Sequence, residues 1–306
     1  MPFPRLWTHL RLSLEMIRRP PDVLFIPAHV LPILHPHASV VTIHDLGYLH
    51  YPHAHRLLDR FYLDLSTRYN AHAATHLIAD SIATKRDLAE CYGVDAAKIT
   101  VVYPGYDQAA FRPADVKAIE AVKARYGIAS EYILFVGTIQ PRKNLVRLIE
   151  AFANLHTCIL ANLQLVIAGK RGWLYEGIFQ RVEELGLEGQ VVFTGYVAEE
   201  DLPALLSGAR LLVLPSLYEG FGLPVLEAMA CGTPVVCSNA SSLLEVAGDA
   251  AILVDPLDVE ELAAAMERVL RDKELQAEMI ERGFERAKRF SWEKCAQETL
   301  AVLENA

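Results

Sequence analysis

Two carboxylates, Glu219 and Glu227, are separated by seven residues in the stretch "EGFGLPVLE". Gly220 and Gly222 lie between them and let backbone pass close to a ligand. Pro224 suits the first turn of a helix, and Gly232 suits the position just past its end. A helix from Pro224 to Ala230 or Cys231 would turn its amides and the positive end of its dipole toward that ligand. The expected guest is an anion, most simply a phosphate. Carboxylates beside a phosphate do not bind it; they accept hydrogen bonds from hydroxyls, which predicts a sugar or a ribose. The plainer alternative makes Glu219 a solvated loop residue and Glu227 a favourable charge at a helix start.

Two further stretches bear on the choice. "VGTIQPRKN" (136–144) carries Arg142 and Lys143 past a strand end, and "IAGKRG" (167–172) does the same with Lys170 and Arg171. Ligands of open α/β sheets bind at the carboxyl ends of the strands. Four cations and two carboxylates are therefore expected to converge on one edge around a phosphorylated, hydroxyl-rich ligand. In "VVTIHDLGYLHYP" His44 directly follows a strand and is expected to face a cleft between domains. The histidines His29, His35, His37, His50, His53 and His55 fit no metal-ligand spacing, and structural or exposed roles are expected for them.

The elements that must position these groups can be read from apolar runs. A first set of strands is expected near 22–26, 39–43, 75–79 and 99–102. A second set is expected near 132–136, 163–168, 191–194, 211–214, 234–237 and 252–254. The runs are rich in Val, Ile and Leu without clean alternation, as in parallel strands buried on both faces. Helical patterns intervene, for example at 145–155 and 199–206. The class is α/β with two Rossmann-like domains. The expected division is a first domain over 1–110, a linker over 111–127, a second domain over 128–290 and a terminal helix over 291–306. Asp107 is expected to hold a turn. Near the start, Leu6, Leu10, Leu14 and Ile17 recur at helical spacing and predict a helix packed on the sheet, with a membrane-surface role as the alternative.

The chain has 306 residues, 52% of them hydrophobic and 22% charged, which suits packed domains rather than disorder. A net charge of −9 disfavours a nucleic-acid partner. The five cysteines (91, 158, 231, 237 and 295) form no C-x-x-C pair and read as small buried residues of a reducing cytoplasm. Arginines spread through the start leave no clean signal sequence, and no apolar run is long enough to span a membrane.

Together these residues resemble the GT-B fold, family 4 (group 1) retaining glycosyltransferases. "EGFGLPVLE" matches that family's E-x7-E signature, and "VVTIHDL", "IADSIATKRDL", "ITVVYPGYD", "VGTIQPRKNLVRLIEAF" and "LVIAGKRG" extend the likeness. The resemblance implies a nucleotide-diphospho sugar as donor substrate, a saccharide or lipid-linked acceptor, and transfer with retention. It implies no cofactor and, with no Asp-x-Asp in the chain, no metal. It implies catalytic roles for His44, Arg142, Lys143 and Glu219. Donor contacts are implied for Thr138, Gly169, Lys170, Gly195, Tyr196, Val197, Phe221, Gly222, Leu223 and Glu227. The "PRKN" variant resembles bacterial mannosyl- and rhamnosyl-type transferases, which places GDP-mannose ahead of a UDP-sugar. Two departures stand out. Thr138 takes a place where many members have arginine. The family's opening strand and glycine-rich loop have no counterpart here, so the first domain is expected to be incomplete. A sugar-nucleotide-binding subunit without catalysis and a sugar-nucleotide epimerase remain the alternatives. Peripheral inner-membrane contact and a homo-oligomer are further expectations.

Overall fold

The computed structural model describes residues 8–28, 30–54, 57–156 and 162–306. His29, His55 and Cys158 lie outside the described residues. The chain divides into two compact units, one of residues 1–105 with 292–306 and one of 106–291.

Among the described residues the first unit carries four parallel strands in the order β1-β2-β3-β4: Leu24–Ile26, Ser39–Ile43, His76–Ala79 and Ile99–Val101. Alternate residues go to opposite faces, as strand geometry requires. Val41, Ile43, Leu77 and Ala79 join Leu31, Leu46 and Leu88 in one core. Val40, Ile78 and Val102 form the other, against Cys295, Val302 and Leu303. The last three belong to the helix Trp292–Glu304, so the chain's last helix crosses back to complete the first unit. Burial on both faces explains why these strands lack clean alternation in the sequence.

Among the described residues the second unit carries six parallel strands, β5 to β10: Glu131–Val136, Leu163–Ala168, Val191–Gly195, Leu211–Leu214, Val235–Ser238 and Ile252–Val254. Their order is β10-β9-β8-β5-β6-β7. Strand order therefore reverses between β5 and β8, which creates a crevice at their carboxyl ends. Side-chain caps start the two helices that follow β10: Asp258 accepts from the Glu261 amide at 2.9 Å, and Asp272 from the Leu275 amide at 2.9 Å.

The segment 111–127, expected as a linker, carries the helix Val116–Arg125 and belongs to the second unit. Arg125 fastens it there, donating to both carboxylate oxygens of Asp201 at 2.6 Å. Asp107 accepts from the Ala109 and Ala110 amides in a local turn. Near the start a short π-helical turn, Thr8–Leu12, runs into a helix, Ser13–Arg18. The packing face differs from the expected one: Leu12 and Met16 rest on the core, while Leu10, Leu14 and Ile17 are exposed. Of the cysteines, Cys231 and Cys237 are buried as expected but Cys91 is exposed. Among the described residues no helix is long and apolar enough to cross a membrane.

Candidate functional site

The crevice between β5 and β8 gathers three charged side chains. After β5 the chain passes Gly137 and makes a single 3₁₀ turn at Pro141–Lys143. Asn144 ends that turn with a positive φ of 59°. Its side-chain amide donates to the carbonyls of Pro215 (3.0 Å) and Pro256 (2.6 Å), so the turn is tied to the loop after β8. The Leu217 amide donates to the Arg142 carbonyl at 2.9 Å, and the Arg142 guanidinium donates to the Tyr218 carbonyl at 2.8 Å. Two strand-end loops are thus sewn together where the strand order reverses.

Glu219 is the focus. Its Oε1 accepts from Lys143 Nζ at 2.5 Å and from Ser216 Oγ at 2.6 Å, and Arg142 Nη1 lies 3.8 Å from Oε2. The Lys143 and Glu219 side chains are 12% and 9% exposed. Burial alone would push the Glu219 carboxyl up; the charges of Lys143 and Arg142, with the two hydrogen bonds, carry it below the usual carboxylate range instead. Two cationic side chains therefore stand beside one carboxylate in a place largely withdrawn from water. Such a place attracts an anion more strongly than solvent-exposed lysines would.

Serines from the loop after β9 hold the Glu219 backbone. The Glu219 amide donates to Ser241 Oγ at 2.8 Å. The Ser242 hydroxyl shares its one proton between the carbonyls of Glu219 (2.9 Å) and Phe221 (2.7 Å), and Ser238 Oγ, at the end of β9, donates to the Ser216 carbonyl. Gly222 follows with φ 120° and starts the helix Leu223–Ala230. A Cβ on Gly222 would lie 2.6 Å from Leu243 Cδ2, so only glycine fits both the conformation and the space. Phe221 turns its ring inward against Phe290, with ring centres 5.7 Å apart, and leaves its backbone to the loop. Glu227 sits one turn into the helix, partly buried, and burial pushes its carboxyl up to about 7.

On the other side of β5, three glycines close neighbouring strand ends. The Gly137 amide donates to the Ala168 carbonyl and the Gly169 amide to the Gly195 carbonyl, both at 2.9 Å. Thr138 is exposed, and its methyl would meet a Cβ on Gly172 at 2.8 Å. Lys170 lies over the exposed Tyr196 ring at 4.4 Å, with Val197 next in line. The four cations expected at this edge have different neighbours. Arg171 packs its guanidinium on the Phe179 ring at 4.6 Å and the Tyr175 ring at 5.6 Å, and Lys170 pairs with Tyr196. Of the four expected cations, Arg142 and Lys143 alone reach Glu219.

In the first unit the Ile43–Ala79 register sets the residues after β2 and β3 side by side. They are His44 and Asp80, and Nδ1 of His44 lies 2.7 Å from Asp80 Oδ2. The hydrogen bond to Asp80 raises the His44 pKa above its ordinary value, against the opposing effect of burial. Sequence reading missed Asp80 and the serines Ser216, Ser241 and Ser242. Asp80 had a usable signal, since it follows its strand at the same offset as His44. Of the other histidines, His50 meets Asp87 at 2.9 Å and His35 meets Ser39 at 3.1 Å.

The chain is similar to known proteins in sequence and in fold. The family pattern described as glycosyl transferases group 1 covers residues 119–286, and that described as glycosyltransferase family 4 covers residues 1–110. An O-antigen chain mannosyltransferase B of Escherichia coli is 36% identical over 265 residues, 86% of this chain and 69% of that protein. A mannosylfructose-phosphate synthase of Agrobacterium fabrum is 34% identical over 226 residues, 71% of this chain and 50% of that protein. The chain thus spans between half and about two-thirds of these relatives. Among solved structures, Anabaena Alr3699/HepE in complex with UDP-glucose superposes with a TM-score of 0.77 at 23% identity, covering 89% of this chain and 73% of that one.

Proposed function

The chain belongs to the group 1, family 4 glycosyltransferases, and on that premise we propose that it moves a hexose, mannose in first place, from a nucleotide-diphospho sugar to a saccharide or lipid-linked acceptor with retention. The observation that supports this reading is the Arg142–Lys143–Glu219 cluster at the strand-order reversal. Breaking the sugar–phosphate bond gives the sugar carbon oxocarbenium character and builds charge on the departing diphosphate. Arg142 and Lys143 stabilise that charge. Glu219 accepts hydrogen bonds from sugar hydroxyls, and Glu227 from the ribose. The Gly169–Lys170 and Gly195–Val197 strand ends border the base, with Thr138 beside them; Phe221, Gly222 and Leu223 line the diphosphate through their backbone. His44, braced by Asp80, is assigned to the same reaction. GDP-mannose is favoured because both relatives are described as handling mannosyl groups; the UDP-glucose bound by the Anabaena protein makes a UDP-sugar the second donor to try.

The test measures donor hydrolysis and transfer with GDP-mannose and with UDP-glucose, beside calorimetric donor binding. Lys143→Ala and Glu219→Gln are each expected to slow turnover by about 100-fold, the scale of removing one group that stabilises a transition state. Melting curves accompany both, because removing Lys143 leaves a buried carboxylate with less charge opposite it. Unchanged turnover in both folded variants would sink the reading, and binding of UDP-glucose without GDP-mannose would sink its mannosyl half.

A further inference from the structure

The two oxygens of the Glu219 carboxylate are held unequally. Oε1 takes two donors, Lys143 Nζ at 2.5 Å and Ser216 Oγ at 2.6 Å. Oε2 has Arg142 Nη1 at 3.8 Å, beyond hydrogen-bond length, and among the described residues no hydrogen bond reaches it. An ionised carboxylate offers about two lone-pair directions on each oxygen, so Oε1 is filled and Oε2 is open. Ser216 is placed to keep that inequality. It lies two residues past β8 and is fully buried. Its carbonyl accepts from Ser238 Oγ of β9 at 2.5 Å, and the neighbouring Pro215 carbonyl accepts from the Asn144 side-chain amide at 3.0 Å. The backbone that carries the hydroxyl is thus tied down on two sides. Lys143 cannot do the same task. Its ammonium is a point charge with rotatable donors and sets no direction for the carboxylate plane. Under the proposed function it also turns toward the departing diphosphate, whereas the Ser216 hydroxyl stays with Glu219.

We propose that Ser216 is a positioning residue for the transfer: it pins Oε1 of Glu219 so that Oε2 is the oxygen offered to a hydroxyl of the hexose. The inference rests on the donor reading above and deepens it, because it separates recognition of the sugar from recognition of the diphosphate. Ser241 and Ser242 act differently. They hold the main chain of Glu219 and Phe221, which the sugar and the diphosphate halves of a donor would share. Ser216 holds a side chain that only the sugar half would meet. Without its hydroxyl the carboxylate can turn about its last torsion, which is broad and roughly two-fold. Oε1 and Oε2 then exchange places, while Arg142, Lys143 and the loop backbone keep theirs.

The experiment is calorimetric binding to the full chain of GDP-mannose beside GDP, and of UDP-glucose beside UDP. Ser216→Ala is expected to bind the sugar-bearing ligand about tenfold more weakly, the scale of one hydrogen bond to a charged group. It is expected to bind the bare nucleoside diphosphate as the parent chain does. Ser242→Ala, which loosens the shared backbone, should weaken both members of a pair alike. Ser216→Cys keeps the volume of the site with a weaker donor, and should show the same split to a smaller degree even where alanine destabilises the loop. Equal losses for sugar-bearing and bare ligands in the Ser216 variants, or no loss for either, overturn the proposal while the donor reading stands. A parent chain that binds neither GDP-mannose nor UDP-glucose overturns the donor reading itself, and this inference falls with it.

Discussion

Glu219 and Glu227 carry the same functional group and shift in opposite directions. Glu219 is the more deeply buried, but Lys143 and Arg142 stand beside it, so it stays ionised. Glu227 has burial without an opposing cation and is pushed up to about 7. The sign of the resulting pH dependence follows. A carboxyl with a raised pKa contributes stability at pH values below the ordinary range of such groups, and that contribution is lost as pH climbs through the raised value. For Glu227 the window opens at 4.5 and closes near 7. Glu227→Gln should therefore melt close to the parent chain at about pH 5 and above it at about pH 8. Melting curves at the two pH values check this; a gap that fails to widen at the higher pH removes burial as the cause. Under the proposed function the same residue is kept for its carboxylate, which a ribose hydroxyl would favour, at some cost to the free protein.

At the scale of elements, the glycine at the end of β6 is required by the backbone at the end of β5. A Cβ on Gly169 would lie 1.9 Å from the Gly137 carbonyl oxygen. Gly169→Ala must push these central strands away from each other, an overpacking cost of about 1–3 kcal/mol. That corresponds to a fall in melting temperature of roughly 3–10 °C for a protein of this size. Gly177→Ala is the control: Gly177 lies in the helix Glu176–Glu184 with open space around its added Cβ, and it should be neutral or stabilising. Equal melting temperatures for the two variants would contradict the close approach of β5 and β6. The strands themselves were legible in the sequence, because burial on both faces writes each one as an unbroken apolar run. The loop with Glu219, Gly222 and the following helix was legible too, because glycine, proline and charge each have a specific local meaning there. What escaped depends on partners distant in the chain. Spacing revealed a stripe at Leu10, Leu14 and Ile17 but not that the sheet takes Leu12 and Met16 instead. Arg171 looked like a ligand-binding cation because its type says nothing of Phe179, which its guanidinium covers. The serines bracing Glu219 are too common in loops to signal their task.

For the whole molecule, the decisive feature is the path of the chain. It leaves the first unit at Gly105, builds all of the second, and returns at Trp292. Removing residues 292–306 should strip one face of the first sheet and expose Val40, Ile78 and Val102. The first unit should then be cut by protease at concentrations that leave the parent chain whole, while a fragment covering 106–291 persists. Equal resistance of both units in the shortened chain would show that the helix Trp292–Glu304 adds nothing to the first unit.

That path also sets an order of events during synthesis. Residues 1–105 leave the ribosome first, yet their sheet waits for a helix encoded after residue 291. At about 5–20 residues per second, the intervening segment takes roughly 10–40 s to translate. Throughout that interval the second unit can complete its six strands, while the first holds an open apolar sheet face beside the exposed leucines and isoleucines of its helical surface. The half made first is thus the half finished last, and it is the one that most needs a chaperone while the chain is still attached.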